Sequence, residues 1–521
     1  MFKNRYKAFS QILISTLIYG ILILIPNYRH YPATELQNFI SLFAHWGLST
    51  FGLYAIFSII SLNKYIYAIT LPIFSIISST IAFFVWQIDI SINSALIESI
   101  FLTNAHETFS YASSSLIAFL ILTTIISLVL VWWRFQTTWE KPDLYPLILA
   151  TIISIAIFAT TNSLRFNTLM SRAPYSIYTA VNDYFKDKKE INSERLMIGT
   201  EAYSKTDSMI TVFIIGEALR ADHIQMNGYH RVTMPNMEKR GVISLPNIKS
   251  PYTHTAASIP YILSRADMNH KERVYNESSF IDIFNNCGFN SSWIANQNPI
   301  TPFKFFINES NYIYINKPQL SDYSNSPKYD ADLIKPFKER VAQINPKKII
   351  ILHIAGNHWW YNNNLPEEFI YYKPILKNKN LTLENKERMI NSYDNVTLST
   401  DHILNEIIKQ LEDKKALLIF LADHGQSFGE EGKWLHANNM PAEQNPACFF
   451  WFSEKYKTEY PEKVNALVKN KEKQIDTAFL FHTIIAGSQL TTPYINNEYN
   501  LFHTENQSDT AGLEIPTKTG K

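Results

Sequence analysis

Residues 415–425, KALLIFLADHG, decide the fold. From Ala416 to Ala422 the chain is apolar at every position, and it then delivers Asp423 and His424 side by side. A short apolar run without polar alternation reads as a strand covered on both faces, which is the mark of a parallel sheet flanked by helices. Two further runs share this form, MITVFIIGE at 209–217 and KKIIILHIAGNH at 347–358, and helical stretches separate the three. They end in Glu217 and His358. Sheets of this kind bind ligands beyond the carboxyl ends of their strands, so Glu217, His358, Asp423 and His424 point to one place, with His436 offered from the loop that follows. Residues 206–505 are therefore expected to form an α/β domain with a largely parallel central sheet covered by helices.

Each of these side chains taken alone has an ordinary structural explanation, as a helix cap, a surface group or a hydrogen-bonded histidine. Their convergence favours a metal. Asp, Glu and His suit zinc or manganese, and the thiolates of a closed structural site are missing from the pattern. A site rich in oxygen and nitrogen keeps a position for substrate, which favours catalysis. A nucleophile is available in SPYTHTAASIPYILSR at 250–265, where Thr255 falls at the expected start of a helix. There the helix dipole favours an anionic group, and a hydroxyl bound to a dication can attack phosphorus. Read by itself, either Thr253 or Thr255 serves equally well as an N-cap.

The rest of the chain is built for lipid. Residues 1–161 hold 7 Lys/Arg and 6 Asp/Glu of the chain's 47 and 46. Five runs, about 9–26, 37–62, 65–87, 112–133 and 144–161, contain none of these four residues, and each is long enough to cross a bilayer, which takes roughly 20 residues. A five-span helical bundle over 1–161 is expected. Lys3, Arg5, Lys7, Lys64, Arg134 and Lys141 fall on one side of it and only Arg29 on the other, which places the N-terminus in the cytoplasm and everything after about 162 outside. Residues 162–205 read as a linker with an interfacial helix, and 506–521 as a polar tail. A net charge of +1 gives no reason to expect nucleic acid. Two cysteines, Cys287 and Cys448, exclude a disulfide framework, and Cys448 reads as a buried apolar residue.

Taken in order, GEALRADHIQMNGYHRVTMPNM (216–237), THTAASIPYILS (253–264), LHIAGNH (352–358), SYDNVTLSTDHIL (392–404) and LADHGQSFGEEGKWLH (421–436) resemble the membrane phosphoethanolamine transferases of the alkaline phosphatase/sulfatase superfamily. With five N-terminal spans, the resemblance covers nearly the whole chain. It implies that Glu217, Thr255, Asp423 and His424 hold a principal Zn2+, that one or two ions bind with Mn2+ as an alternative, and that Thr255 is the nucleophile. His358 and His436 would lie on the substrate side. Ser99, Thr103 and Glu107 have the four-residue spacing of the family's headgroup contacts, with Ser99 standing where the family carries Asn. Pro251 and Tyr261 occupy the positions of a disulfide common in the lipid A-specific branch. In WIANQNPITPFKF at 293–305, which departs from the lipid A-type pattern, Asn296, Gln297 and Lys304 are named as substrate contacts; Asp394 and Asn395 read as structural.

The resemblance further implies an inner-membrane enzyme, expected to be a monomer. It would move phosphoethanolamine from phosphatidylethanolamine to lipid A, a lipopolysaccharide core sugar or another envelope glycan, weakening polycation binding at the surface. The competing readings are a phosphoglycerol transferase or phosphodiesterase of the same superfamily, and a non-catalytic membrane sensor or assembly protein.

Overall fold

The computed structural model describes residues 6–30, 36–88, 92, 96–97, 100–101, 112–170, 172–190, 195–297, 301–316, 329–377 and 381–504. The chain divides into two compact units: Met1–Glu190 with Pro374–Ile390 and Ser427–Asn438, and Ile191–Lys373 with Asn391–Gln426 and Asn439–Lys521.

The first unit is built on five long apolar helices, α1 (Lys7–His30), α2 (Leu36–Ser61), α3 (Lys64–Ile88), α4 (Ser114–Gln136) and α5 (Lys141–Met170). Each contains a stretch long and apolar enough to cross a membrane. The fifth continues to Met170, past the expected limit at 161, because no proline or glycine interrupts 161–170. On α4, Ile121, Leu122, Ile125, Leu128 and Val129 are each more than half exposed. Such a face is costly in water and suits hydrocarbon. Inside the bundle, several polar groups are paired within the protein, as a lipid environment favours. Ser75 Oγ donates to Thr123 O (3.0 Å), Ser15 meets the Tyr67 hydroxyl (3.0 Å), and Trp46 Nε1 donates to Gly20 O (2.9 Å). Asn27 and His45, from two spans, converge on Ala173 O (2.9 and 2.8 Å) just before α6 (Tyr175–Glu190). This α6 is the helix expected in the linker. The hairpin of β7 (Ser427–Phe428) and β8 (Trp434–Leu435) also belongs to this unit.

The second unit centres on a seven-stranded sheet of β1 (Met209–Gly216), β2 (Ile243–Ser244), β3 (Asn290–Ala295), β4 (Tyr312–Ile315), β5 (Lys347–His353), β6 (Ala416–Ala422) and β9 (Cys448–Phe452). Their spatial order is β2-β9-β6-β1-β5-β3-β4, parallel from β6 through β4, with β9 antiparallel to both of its neighbours. All residues of β1 and β6 are buried, which explains why these runs carry no polar alternation. At the end of β1 a Cβ on Gly216 would lie 2.4 Å from the Phe420 ring, so glycine is what lets that ring stack on Phe449 (4.6 Å between centroids). The helices α7 (Thr255–Leu263), α8 (Lys386–Lys409) and α9 (Phe479–Gly487) belong to this unit, α8 from Asn391 onward. Both cysteines are buried and free, Cys448 within β9.

One strand is shorter than the sequence suggests. The run 347–358 is a strand only as far as His353, and His358 lies in a turn rather than at a strand end. The chain turns because Gly356 adopts φ +44 and the buried Asp330 carboxylate accepts the N–H groups of Ala355 and Gly356 (2.8 Å each).

Candidate metal centre and nucleophile

Sheet register brings the ends of β1 and β6 together. Gly216 pairs with Ala422, so Glu217 and Asp423 emerge side by side and both are buried. Asp423 Oδ1 accepts the N–H of Ala218 (3.1 Å) and of His424 (2.8 Å). Its Oδ2 is buried without a hydrogen-bond partner. His424 Nδ1 lies 2.7 Å from Gly425 O. A carbonyl only accepts, so Nδ1 carries the proton and Nε2 presents its lone pair to the site. That lone pair faces Asp423 Oδ2 at 3.4 Å and Glu217 Oε1 at 3.7 Å. One ligand atom from each of the three residues lies within 4.8 Å of the others. Three buried acceptors aimed at one another, one of them an orphaned carboxylate oxygen, repel unless a cation lies among them. The donor set therefore fits a divalent metal, with oxygen and imidazole ligands suited to zinc or manganese.

Thr255 completes the cluster. Its hydroxyl donates to Glu217 Oε2 (3.3 Å) and lies 3.5 Å from His424 Nε2. Neither threonine is the N-cap of α7. That position is His254, in extended backbone and without a side-chain cap bond, while Thr253 Oγ1 meets Asn439 Oδ1 (3.3 Å). Thr255 is thus the first helical residue, at the positive end of the dipole, with its hydroxyl turned to the acidic cluster. Desolvation, and next the neighbouring His424, push the His254 imidazole down to about 4, so it is neutral near pH 7. Burial likewise pushes His353 down to about 4; its ring packs against Trp293 and Phe303.

Several supporting roles, and Asp330 altogether, escape a reading of the sequence. Gln297 Nε2 donates to Glu217 Oε2 (2.9 Å) and to Ile354 O (3.0 Å), so this residue, named as a substrate contact, orients a carboxylate. Asn296, named likewise, is buried and donates to Asp330 (2.8 Å). Burial raises the pKa of Asp330, and hydrogen bonds from Ala355, Gly356 and Asn296 oppose that rise. Lys304 is exposed on the helix Thr301–Ile307. Asp394 binds His223, the Tyr229 hydroxyl and Arg231 (2.9 Å each), and Asn395 accepts from the N–H groups of Tyr371 and Tyr372 (3.0 and 2.8 Å), which are structural roles.

The structure thus brings together Glu217, Thr255, Asp423 and His424. His358 is half-buried in the turn after β5, its N–H bonded to Ala355 O (3.0 Å), and His436 is half-buried after β8 in the first unit. Ser99, Thr103 and Glu107 lie outside the described residues.

A parallel-centred α/β sheet with a helix-borne hydroxyl over a Glu–Asp–His cluster at its carboxyl edge, carried by a chain with five apolar helices, defines a class of multi-pass membrane protein with a candidate metal site in its α/β domain. The Sulfatase family profile matches residues 210–487, and the profile described as Phosphoethanolamine transferase EptA/EptB matches residues 49–198. The chain belongs to the phosphoethanolamine transferases of the alkaline phosphatase/sulfatase superfamily. It is 27% identical over 352 residues to phosphoethanolamine transferase EptA of Escherichia coli K12, an alignment covering 64% of each chain. It superposes on the integral membrane lipooligosaccharide phosphoethanolamine transferase A of Neisseria meningitidis with a TM-score of 0.77 at 19% identity, covering 95% of this chain and 97% of that one. The periplasmic domain of Escherichia coli EptC, solved in complex with Zn, gives a TM-score of 0.53 at 20% identity, covering 59% of this chain and 90% of that one. The protein is a multi-pass membrane protein with a soluble C-terminal domain.

Proposed function

We propose that the protein transfers phosphoethanolamine from phosphatidylethanolamine to an envelope glycolipid, through a covalent intermediate on Thr255. The observation that carries this reading is the Thr255 hydroxyl, released from capping and held 3.3 Å from Glu217 Oε2 and 3.5 Å from His424 Nε2. Glu217, Asp423, His424 and the Thr255 oxygen would hold a divalent ion, in this reading zinc, as in the EptC domain. That ion supplies a lowered pKa for the hydroxyl and neutralisation of charge on the phosphoryl oxygens.

The chain's own residues do the rest. In the resting site the hydroxyl proton points along the bond to Glu217 Oε2 and leaves in that direction as Thr255 Oγ1 attacks phosphorus. The Oγ1–P bond forms, the P–O bond to diacylglycerol breaks, and the departing oxygen takes up a proton. The positive end of α7 favours the anionic phosphoryl group beside Thr255. Gln297 keeps the Glu217 carboxylate turned to the cluster throughout. A second displacement by the acceptor restores the threonine. By the sequence resemblance, His358 and His436 contact the phosphoryl group, a second zinc or the leaving oxygen, and Ser99, Thr103 and Glu107 the headgroup. The reading places residues 1–161 across the inner membrane with the N-terminus cytoplasmic and residues 206–505 as the periplasmic catalytic domain. The acceptor is lipid A or a lipopolysaccharide core sugar, in keeping with the lipooligosaccharide transferase of like fold.

The test is intact-protein mass spectrometry of the full chain in detergent, wild type and Thr255→Ala, after incubation with zinc and phosphatidylethanolamine and no acceptor. Wild type alone should gain the mass of one phosphoethanolamine group. Labelling by phosphatidylglycerol instead would replace the donor, and no adduct with either lipid would remove the covalent mechanism.

A further inference from the structure

Glu217 leaves β1 through a backbone conformation that its successor does not favour. Ala218 sits at φ +53, in the left-handed region that a residue with a Cβ seldom adopts. Something must hold it there, because relaxation of Ala218 would swing the Glu217 carboxylate away from Thr255. The holding group is on α8, which contributes no candidate metal ligand. Tyr393, fully buried, donates its hydroxyl to Ala218 O (2.7 Å) and accepts the N–H of Arg220 (2.8 Å). One phenol thereby closes the turn on both sides of Leu219. The turn is also tied at Glu217, whose carbonyl accepts the N–H of Asn357 (3.2 Å). The Asn357 side chain in turn donates to Tyr393 O and Thr397 Oγ1 (3.0 Å each), so this second tie anchors on the same stretch of α8. The Tyr393 ring itself is wedged edge-on against Tyr361 and His223 (5.4 and 5.2 Å), which fixes where the hydroxyl points.

We propose that Tyr393 is a positioning residue for the metal centre: through its hydroxyl it keeps Ala218 left-handed and so holds Glu217 at the ion. The inference rests on the reading of Glu217 as a metal ligand. Groups that orient a ligand from outside the coordination sphere typically change metal affinity by 10–100-fold when removed. Tyr393→Phe keeps the wedged ring and deletes only the oxygen that bridges Ala218 and Arg220. Its effect must pass through the conformation of residue 218, and that makes it reversible. Glycine has no Cβ and adopts positive φ without steric cost, so Ala218→Gly supplies from the backbone what the phenol supplied from α8.

The experiment is zinc affinity of the full-length protein in detergent, measured by competition with a chromophoric chelator, for wild type, Y393F and the double variant Y393F/A218G. The expected result is binding weakened by about tenfold in Y393F and largely restored in Y393F/A218G. Wild-type affinity in Y393F overturns the proposal. So does equal weakening in Y393F and the double variant, which would show that the hydroxyl acts on packing in general and not through residue 218. Absence of zinc binding by the wild type would instead overturn the metal reading of Glu217, and the proposal with it.

Discussion

Replacing Gly425 with alanine should damage the metal centre well before it unfolds the protein. A Cβ at this position would lie 2.0 Å from Ala442 O, 3.1 Å from its carbonyl carbon and 3.3 Å from Glu443 Cα. Carbon–oxygen contacts below 3.0 Å are essentially never tolerated, so the two backbones must separate by about 1 Å. Neither side yields easily. Gly425 N–H is bonded to Glu443 O (2.6 Å), Glu443 is fully buried and its own N–H is bonded to Met440 O (2.9 Å). If the displacement is shared, His424 moves by roughly half an ångström, more than the ~0.2 Å that metal–ligand distances allow. Overpacking of this kind costs about 1–3 kcal/mol against a total stability of about 5–15 kcal/mol, so the fold survives. The variant should melt only several degrees below wild type, on a scale of about 2–4 °C per kcal/mol for large domains, while zinc affinity drops by at least about tenfold. Paired measurements of thermal unfolding in metal-free buffer and of zinc binding decide the matter. A Gly425→Ala protein that binds zinc as wild type does would refute the reasoning, because it would show that the ligand edge absorbs the clash elsewhere.

Removing the donor on Glu217 is a milder perturbation: Gln297→Leu should leave the melting temperature nearly unchanged but weaken zinc binding about tenfold, as read by chelator competition; unaltered affinity would return Gln297 to its earlier assignment as a substrate contact. Burial pushes the Glu309 carboxyl up to about 7, opposed by hydrogen bonds from Ser279. Its folded pKa lies above the unfolded value of about 4.5, so its stabilising contribution is full below pH 4.5 and is lost as pH rises through 7, an effect on the order of 3 kcal/mol. Melting curves from pH 4 to 8 should therefore fall less steeply for Glu309→Gln than for wild type, and parallel curves would contradict the assignment. Stripping divalent ions with a chelator should lower the melting temperature, and adding back zinc should restore it with a logarithmic dependence on free zinc; the Asp423→Asn variant should show no such response.

The local chemistry of the chain was enough to place a great deal. Continuous apolar runs fixed β1, β5 and β6, because burial on both faces leaves a hydropathy pattern that needs no partner to be seen, and the charge-free runs located five helices, the fifth of which runs on past 161 to Met170. The motif order singled out Glu217, Thr255, Asp423 and His424, the four side chains that converge. What the sequence left open turned on contacts between distant residues. Whether Thr253 or Thr255 was a cap depended on what their hydroxyls meet in the fold, Asn439 for one and Glu217 for the other. The end of β5 at His353 depended on Asp330, which binds two N–H groups in a turn that begins after the strand. Gln297 and Asn296 are adjacent, yet one orients Glu217 and the other holds Asp330, because successive residues leaving a strand point opposite ways. Gly216 and Gly425 reveal their reason only against Phe420 and Ala442. Tyr393, 176 positions after Glu217 in the chain, reaches the strained turn through a single hydroxyl. Hydropathy and spacing are written along the chain, whereas register between strands and the placement of a covering helix are set by packing across it, and the geometry of a metal centre belongs to the second kind.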